Sequence, residues 1–316
     1  MGRKGLSRSE VKPLLRGVIN IQLTPFSSDT EIDEKALREN TRFMIEGGLV
    51  TGKGIQVIAG SNGEGFSLSD AEYEKLINIV VEEAKGEVPI VVGCVRPGTS
   101  QVIKLAKYAE AAGADAIMVL APFYYPNPTD DIVYRHFKAI ADATEIGIMV
   151  YNNPLVTGKD MSLECIGRLA TIDHIVALKE TTSDVRKLRQ VARDFGKRFT
   201  LNGNTYRSLM PLDYQFGIVG HNHFTANYDP KAALEIDEVD RSGDFARCQE
   251  LWERYLDLYA YIFAGDMYKS SAYGKEMARI AGRPMGDHER LPFVRPNEEE
   301  RKKLKELMIK TGLTVK

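Results

Sequence analysis

The segment Ile146-Gly147-Ile148-Met149-Val150-Tyr151-Asn152-Asn153-Pro154, followed one helix-length later by Ile175-Val176-Ala177-Leu178-Lys179-Glu180-Thr181-Thr182, decides the fold. Each half opens on an apolar run, the pattern of a strand buried on both faces, and each ends in turn chemistry. Strands joined through a helix pair in parallel, so Tyr151 and Lys179 emerge at the same edge of the sheet. Working outward, similar runs begin near Val18, Ile55, Pro89, Ala116, Ile146, Ile175, Phe199 and Gly217, with helical periodicity in every gap. Eight alternating units in about 220 residues predict an α/β fold, a closed (β/α)8 TIM barrel rather than an open sheet. The seventh gap is the shortest. Asp33 to Gly47 reads as a helix capped by Asp33 and stopped by Gly47-Gly48, and Ser69-Asp70-Ala71-Glu72 opens another like a capping box.

After about Asp240 the strand signals stop, and Phe245 to Phe263, Lys269 to Ala281 and Asn297 to Thr311 read as helices. Their joints are Gly265-Asp266 and the Pro-, Gly- and charge-rich stretch Gly282 to Pro296. The expected organisation is an N-terminal extension (1–16), a barrel domain (17–240) and a C-terminal helical domain (241–316). A chain of 316 residues that is 43% hydrophobic buries a full core without a disulfide or structural metal. A net charge of -2 offers no general attraction to nucleic acid or anionic membranes and leaves small molecules as the expected partners. Cys94, Cys165 and Cys248 are odd in number and widely spaced, against a disulfide framework or a zinc site. Without a signal peptide or an apolar run near 20 residues, a cytoplasmic protein is expected.

The rim residues suggest chemistry. A lysine amine attacks a ketone only when neutral, and its ordinary pKa of about 10.4 must fall by ~3, roughly 4 kcal/mol against the ammonium. Burial between barrel strands supplies such a bias for Lys179. The alternative is a lysine paired with Glu180 or another rim carboxylate. Tyr151 reads either as a packed aromatic or as a proton relay on a rigid strand. Gln56-Val57-Ile58-Ala59-Gly60-Ser61-Asn62-Gly63-Glu64-Gly65 carries a buried strand into a glycine-rich turn. Its amides and the side chains of Ser61 and Asn62 would converge on a carboxylate, although Gly-Ser-Asn-Gly also serves as an ordinary loop. Glu64 reads as an acceptor that holds the turn. An amine nucleophile, a proton relay and a carboxylate cradle on one rim are what a 2-oxo acid requires.

On these residues the chain resembles the dihydrodipicolinate synthase and N-acetylneuraminate lyase superfamily of class I pyruvate-dependent aldolases. The likeness runs through Leu23-Thr24-Pro25-Phe26, Gly60-Ser61-Asn62-Gly63-Glu64, Pro122-Phe123-Tyr124-Tyr125, Tyr151-Asn152-Asn153-Pro154 and Lys179-Glu180. It implies that Lys179 forms the imine, that Tyr151 is the strand-five tyrosine, and that Ser61 links the carboxylate cradle to the proton relay. Tyr124 matches the second tyrosine, which some members lend across a subunit interface, with Tyr125 the alternative one position on. It also implies a homotetramer, a 2-oxo acid and an aldehyde as substrates, and no cofactor beyond the covalent imine.

The departures concern the second substrate. Dihydrodipicolinate synthases place an arginine two residues after the proline of Tyr-Asn-x-Pro to hold the aspartate-semialdehyde carboxylate, and here Val156 stands there. Sialic acid lyases place acidic residues after the seventh-strand glycine, where this chain has Gly203-Asn204-Thr205. Gly217-Ile218-Val219-Gly220-His221-Asn222-His223-Phe224 is unusual at the eighth strand, and alternation points His221 and His223 to one side and Asn222 to the other. The histidines read as structural, as substrate contacts or, lacking a third ligand, least well as a metal site. Asn153, Gly203, His221 and Asn222 join Ser61 and Asn62 as expected substrate contacts. Three activities share this constellation: an aldolase or lyase, a sugar-acid dehydratase or hydratase-aldolase, and an idle ligand-binding relative.

Overall fold

In the computed structural model, described over residues 6–203, 209–264 and 267–316, eight parallel strands close into a barrel. They are β1 (Gly17–Ile21), β2 (Gly54–Ile58), β3 (Ile90–Gly93), β4 (Ala116–Leu120), β5 (Gly147–Asn152), β6 (Ile175–Glu180), β7 (Thr200–Gly203) and β8 (Gly220–Asn222). Each pairs with its sequence neighbours, and β1 closes on β8 through Gly17↔Gly220, Val18↔His221 and Ile19↔Asn222. The strands carry apolar side chains on both faces because both are covered. Ile19, Ile21, Ile55, Val57, Val91 and Met118 fill the barrel, while Val18, Ile58, Val92, Ile117 and Val119 pack outward. Each such buried Val or Ile contributes roughly 1.5–3 kcal/mol relative to exposure.

The helices obey their caps. Glu34–Glu46 starts where the Asp33 carboxylate accepts from the Ala36 N–H, and Asp70–Ala84 starts with the Ser69–Glu72 capping box. The short seventh gap holds the helix Met210–Phe216, and Gly217, at φ +100°, ends it in the left-handed region. The eighth strand therefore begins at Gly220, three residues after the run that suggested it. A small hairpin, Phe26–Ser28 with Glu31–Ile32, follows β1 and had no clear signal in the sequence.

Residues ahead of β1 close one end of the barrel. The short helix Arg8–Val11 and the turn Lys12–Leu14 put Val11 and Leu15 into the interior cluster. Arg8 pairs with Glu145 at 2.7 Å, and the Thr200 hydroxyl donates to Lys12 O at 2.6 Å. Both partners lie where strands begin, so the opposite end, where strands finish, is left for chemistry. Helices Phe245–Phe263, Met267–Ile280 and Glu298–Thr311 share a second cluster that includes Leu258, Ile262, Met277, Leu304 and Met308. Leu23, Phe224 and Tyr228 join that cluster from the barrel. Asn204, Thr205 and the Gly265-Asp266 joint lie outside the described residues.

Candidate active site

Tyr151 on β5 and Lys179 on β6 are register partners. Their side chains enter the barrel, and the Lys179 Nζ stands 4.4 Å from the centroid of the Tyr151 ring. Lys179 is 2% exposed, and burial alone drives its amine from 10.5 to about 7. The ring face favours the ammonium by ~0.5–2 kcal/mol, well short of the roughly 5 kcal/mol that the drop represents, so desolvation wins. Burial pushes the Tyr151 phenol the other way, up to about 12, against the Asn153 amide that donates to its oxygen at 3.0 Å. At neutral pH the pair is thus an amine able to lose its proton beside a phenol that keeps its own.

Lys179 does not pair with Glu180. Strand alternation sends Glu180 to the helix layer, where its Oε1 accepts from the Asn152 amide at 2.7 Å and the Thr182 N–H at 2.8 Å. Lys187 lies 3.7 Å from its other oxygen. Asn152 also donates to Asp160 at 2.8 Å. These bonds lock the ends of β5 and β6 together and hold the spacing of Tyr151 and Lys179.

The cradle follows β2, directly across the barrel from β6 in the strand order. Ala59 (φ 52°) and Glu64 (φ 57°) take left-handed conformations that fold the chain into a tight turn. A side chain at Gly65 would meet Ala59 O at 1.9 Å. The N–H groups of Glu64 and Gly65 bond Ser61 O and Gly60 O, each at 3.1 Å. Arg96 donates to Gly65 O at 2.9 Å, and the Thr24 hydroxyl to Gly63 O at 2.7 Å. Ser61 and Asn62 remain half-exposed at the top of a pinned turn. Glu64 is buried and ion-paired to Lys275.

Of the remaining expected contacts, Asn153 lies beside Tyr151, and Asn222 follows the inward register of Ile19 with its Oδ1 buried. Gly203 faces outward, since a side chain there would meet the His221 ring at 2.4 Å, so only its backbone reaches the rim. His221 also faces outward: its Nε2 is 3.5 Å from Asp213 Oδ2 and its ring meets Tyr214 edge-on. His223 sits 3.7 Å from Asp237. Burial raises the Asp237 carboxyl, but His223, Arg241 and Tyr214 outweigh it and hold the group below its usual range. Both rings belong to the layer between barrel and helices, which corrects the expectation of a substrate contact for His221. Among the described residues no cluster of three or more His, Cys, Asp or Glu could hold a metal ion, and no helix is long and apolar enough to cross a membrane.

Tyr124 and Tyr125 are 76% and 81% exposed and touch each other rather than Tyr151. Phe123 and Val156 pack against the interior cluster that includes Tyr151, so an apolar side chain occupies position 156 at the mouth. Asn202 escaped the sequence reading. It is Lys179's register partner on β7, wholly buried, with both amide atoms unpartnered among the described residues. A polar side chain within the apolar run that ends at Gly203 was the available signal.

Residues 14–311 match the family model described as the dihydrodipicolinate synthetase family. The 4-hydroxy-tetrahydrodipicolinate synthase of Methanopyrus kandleri is 33% identical over 95% of this chain and 97% of its own. The dihydrodipicolinate synthase of Aquifex aeolicus superposes with a TM-score of 0.85 at 28% identity, over 96% of this chain and 100% of that one. The chloride-inhibited enzyme of Acinetobacter baumannii, solved with pyruvate, gives 0.83 at 28% identity, over 95% and 99%.

Proposed function

The chain belongs to the dihydrodipicolinate synthetase family of lyases, and from that premise we propose that Lys179 forms an imine with pyruvate or a related 2-oxo acid. The supporting observation is the buried amine, lowered to about 7, in contact with the Tyr151 ring. The neutral Nζ attacks C2, and the carbonyl oxygen, once protonated, leaves as water. In cleavage, the C4 hydroxyl gives up its proton, relayed through Tyr151, as the C3–C4 electron pair flows into the iminium. An aldehyde and an enamine result. The phenol passes that proton on to C3 of the enamine, and addition of water then returns pyruvate and the free amine; condensation is the reverse. The iminium is the electron sink, so the reaction as written uses no metal or organic cofactor.

In this reading the carboxylate sits on Ser61, Asn62 and their amides, with Asn153 orienting the phenol. Tyr124 acts only on association, in a homotetramer where it reaches a partner's site. Val156 puts an apolar group where an acidic aldehyde would need a cation, so the acceptor is an uncharged aldehyde rather than aspartate semialdehyde. The test is incubation of the protein and its Lys179→Ala variant with 4-hydroxy-2-oxo acids. Release of free pyruvate by the parent alone is expected; a dehydrated oxo acid without pyruvate, or turnover by the variant, contradicts the proposal.

A further inference from the structure

Resting on that aldolase reading, we infer that Lys275, on the helix Met267–Ile280 of the tail, is a positioning residue for the substrate carboxylate, acting through Glu64 of the cradle turn. Lys275 and Glu64 are each 1% exposed and form an ion pair. The same ammonium lies 3.3 Å from Glu289 Oε2 and 4.6 Å above the Phe26 ring. Arg290, from the irregular stretch after that helix, covers the same ring at 3.8 Å and pairs with Glu72. Glu72 belongs to Asp70–Ala84, the helix into which the turn leads. The turn and its helix are therefore both tied to the tail by buried charge. The tail approaches so closely that a side chain at Gly286 would lie 2.0 Å from Phe26 O.

The wiring is asymmetric. Glu289 keeps Arg279, 2.5 Å away, if Lys275 is removed, whereas Glu64 keeps no ion-pair partner among the described residues and only the weaker, more distant pull of Arg290. A buried carboxylate without a partner must take up a proton or move toward water. Glu64 shares its turn with Ser61, and its N–H donates to Ser61 O at 3.1 Å. Displacing Glu64 therefore displaces Ser61 and the adjoining amides, the groups assigned to the carboxylate. Lys179 lies across the barrel on β6, held by strand pairing and by burial that do not pass through the turn.

The experiment is borohydride trapping on Lys179 against pyruvate concentration and against pH, for the parent and Lys275→Met, with folding checked by thermal melting. The expected result is a half-saturating pyruvate concentration raised on the order of 10- to 100-fold, with the final extent of labelling and its pH midpoint unchanged. Should Lys275→Met not fold, Glu64→Ala makes the same test from the turn side, because Glu289 still neutralises Lys275. A folded variant that labels at the parent's pyruvate concentrations overturns the proposal. So does a variant whose extent of labelling falls only in step with its folded fraction. Absence of labelling in the parent overturns the aldolase reading, and the proposal with it.

Discussion

Replacing Lys179 with Met should make the protein more stable. The folded-state amine titrates at about 7 against an ordinary 10.5. Between those values the unfolded chain binds the extra proton, so the lysine's cost to the fold is complete below about pH 7. It fades as pH rises and is gone above about 10.5. At pH 7 the cost is roughly 4 kcal/mol and at pH 9 roughly 2 kcal/mol. Methionine fills a similar volume with nothing to ionise, so the variant should gain about 2–4 kcal/mol at pH 7, and the gain should shrink by about 2 kcal/mol at pH 9. With a urea slope of about 3 kcal/mol per molar, the pH 7 midpoint rises by about 1 M. Both proteins are unfolded in urea at one concentration, because association shifts the midpoint. A variant no more stable at pH 7, or a margin that is the same at pH 9, would refute the claim that burial holds the amine neutral.

Three further outcomes follow from the site. Tyr151→Phe should still trap pyruvate on Lys179 while turnover drops about 10²- to 10⁴-fold; parallel loss of both would make the phenol a packing group. Val156→Arg should lower KM for a carboxylate-bearing aldehyde roughly tenfold or more, through a charge-assisted contact at the mouth, and an unchanged KM would place that aldehyde elsewhere. Asn202→Leu should add about 1 kcal/mol of stability by removing a buried amide that is unpaired among the described residues, and should cut turnover roughly tenfold or more by removing a polar group from the register position beside Lys179. Full activity in that variant would make the amide incidental.

Much of this was legible because it depends on short-range rules. Apolar runs of strand length, Asp33 and Ser69 as caps and helical periodicity in every gap are local features, and together they placed Tyr151 beside Lys179. The period-two rule put His221 and His223 on one side but could not say which, because the sides of a strand are named only by the closed barrel. Asp213, Asp237 and the helices carrying them settle it as the outer side. The same alternation carried Glu180 away from Lys179 to Asn152 and Lys187. Lys275 had no signal at all, since its meaning is a contact with Glu64 made only when the tail packs on the barrel. The late start of β8 reflects Gly217, an apolar-run residue in the sequence and a helix stop in the fold.

The central claim is that Lys179 is the amine that bonds to a 2-oxo acid, and mass analysis after incubation with pyruvate and borohydride tests it most directly. One reduced pyruvyl group per chain, mapped to the peptide holding Lys179 and absent from Lys179→Ala, is the predicted result. A label on another lysine, or none under conditions that mark a known pyruvate aldolase, would contradict it.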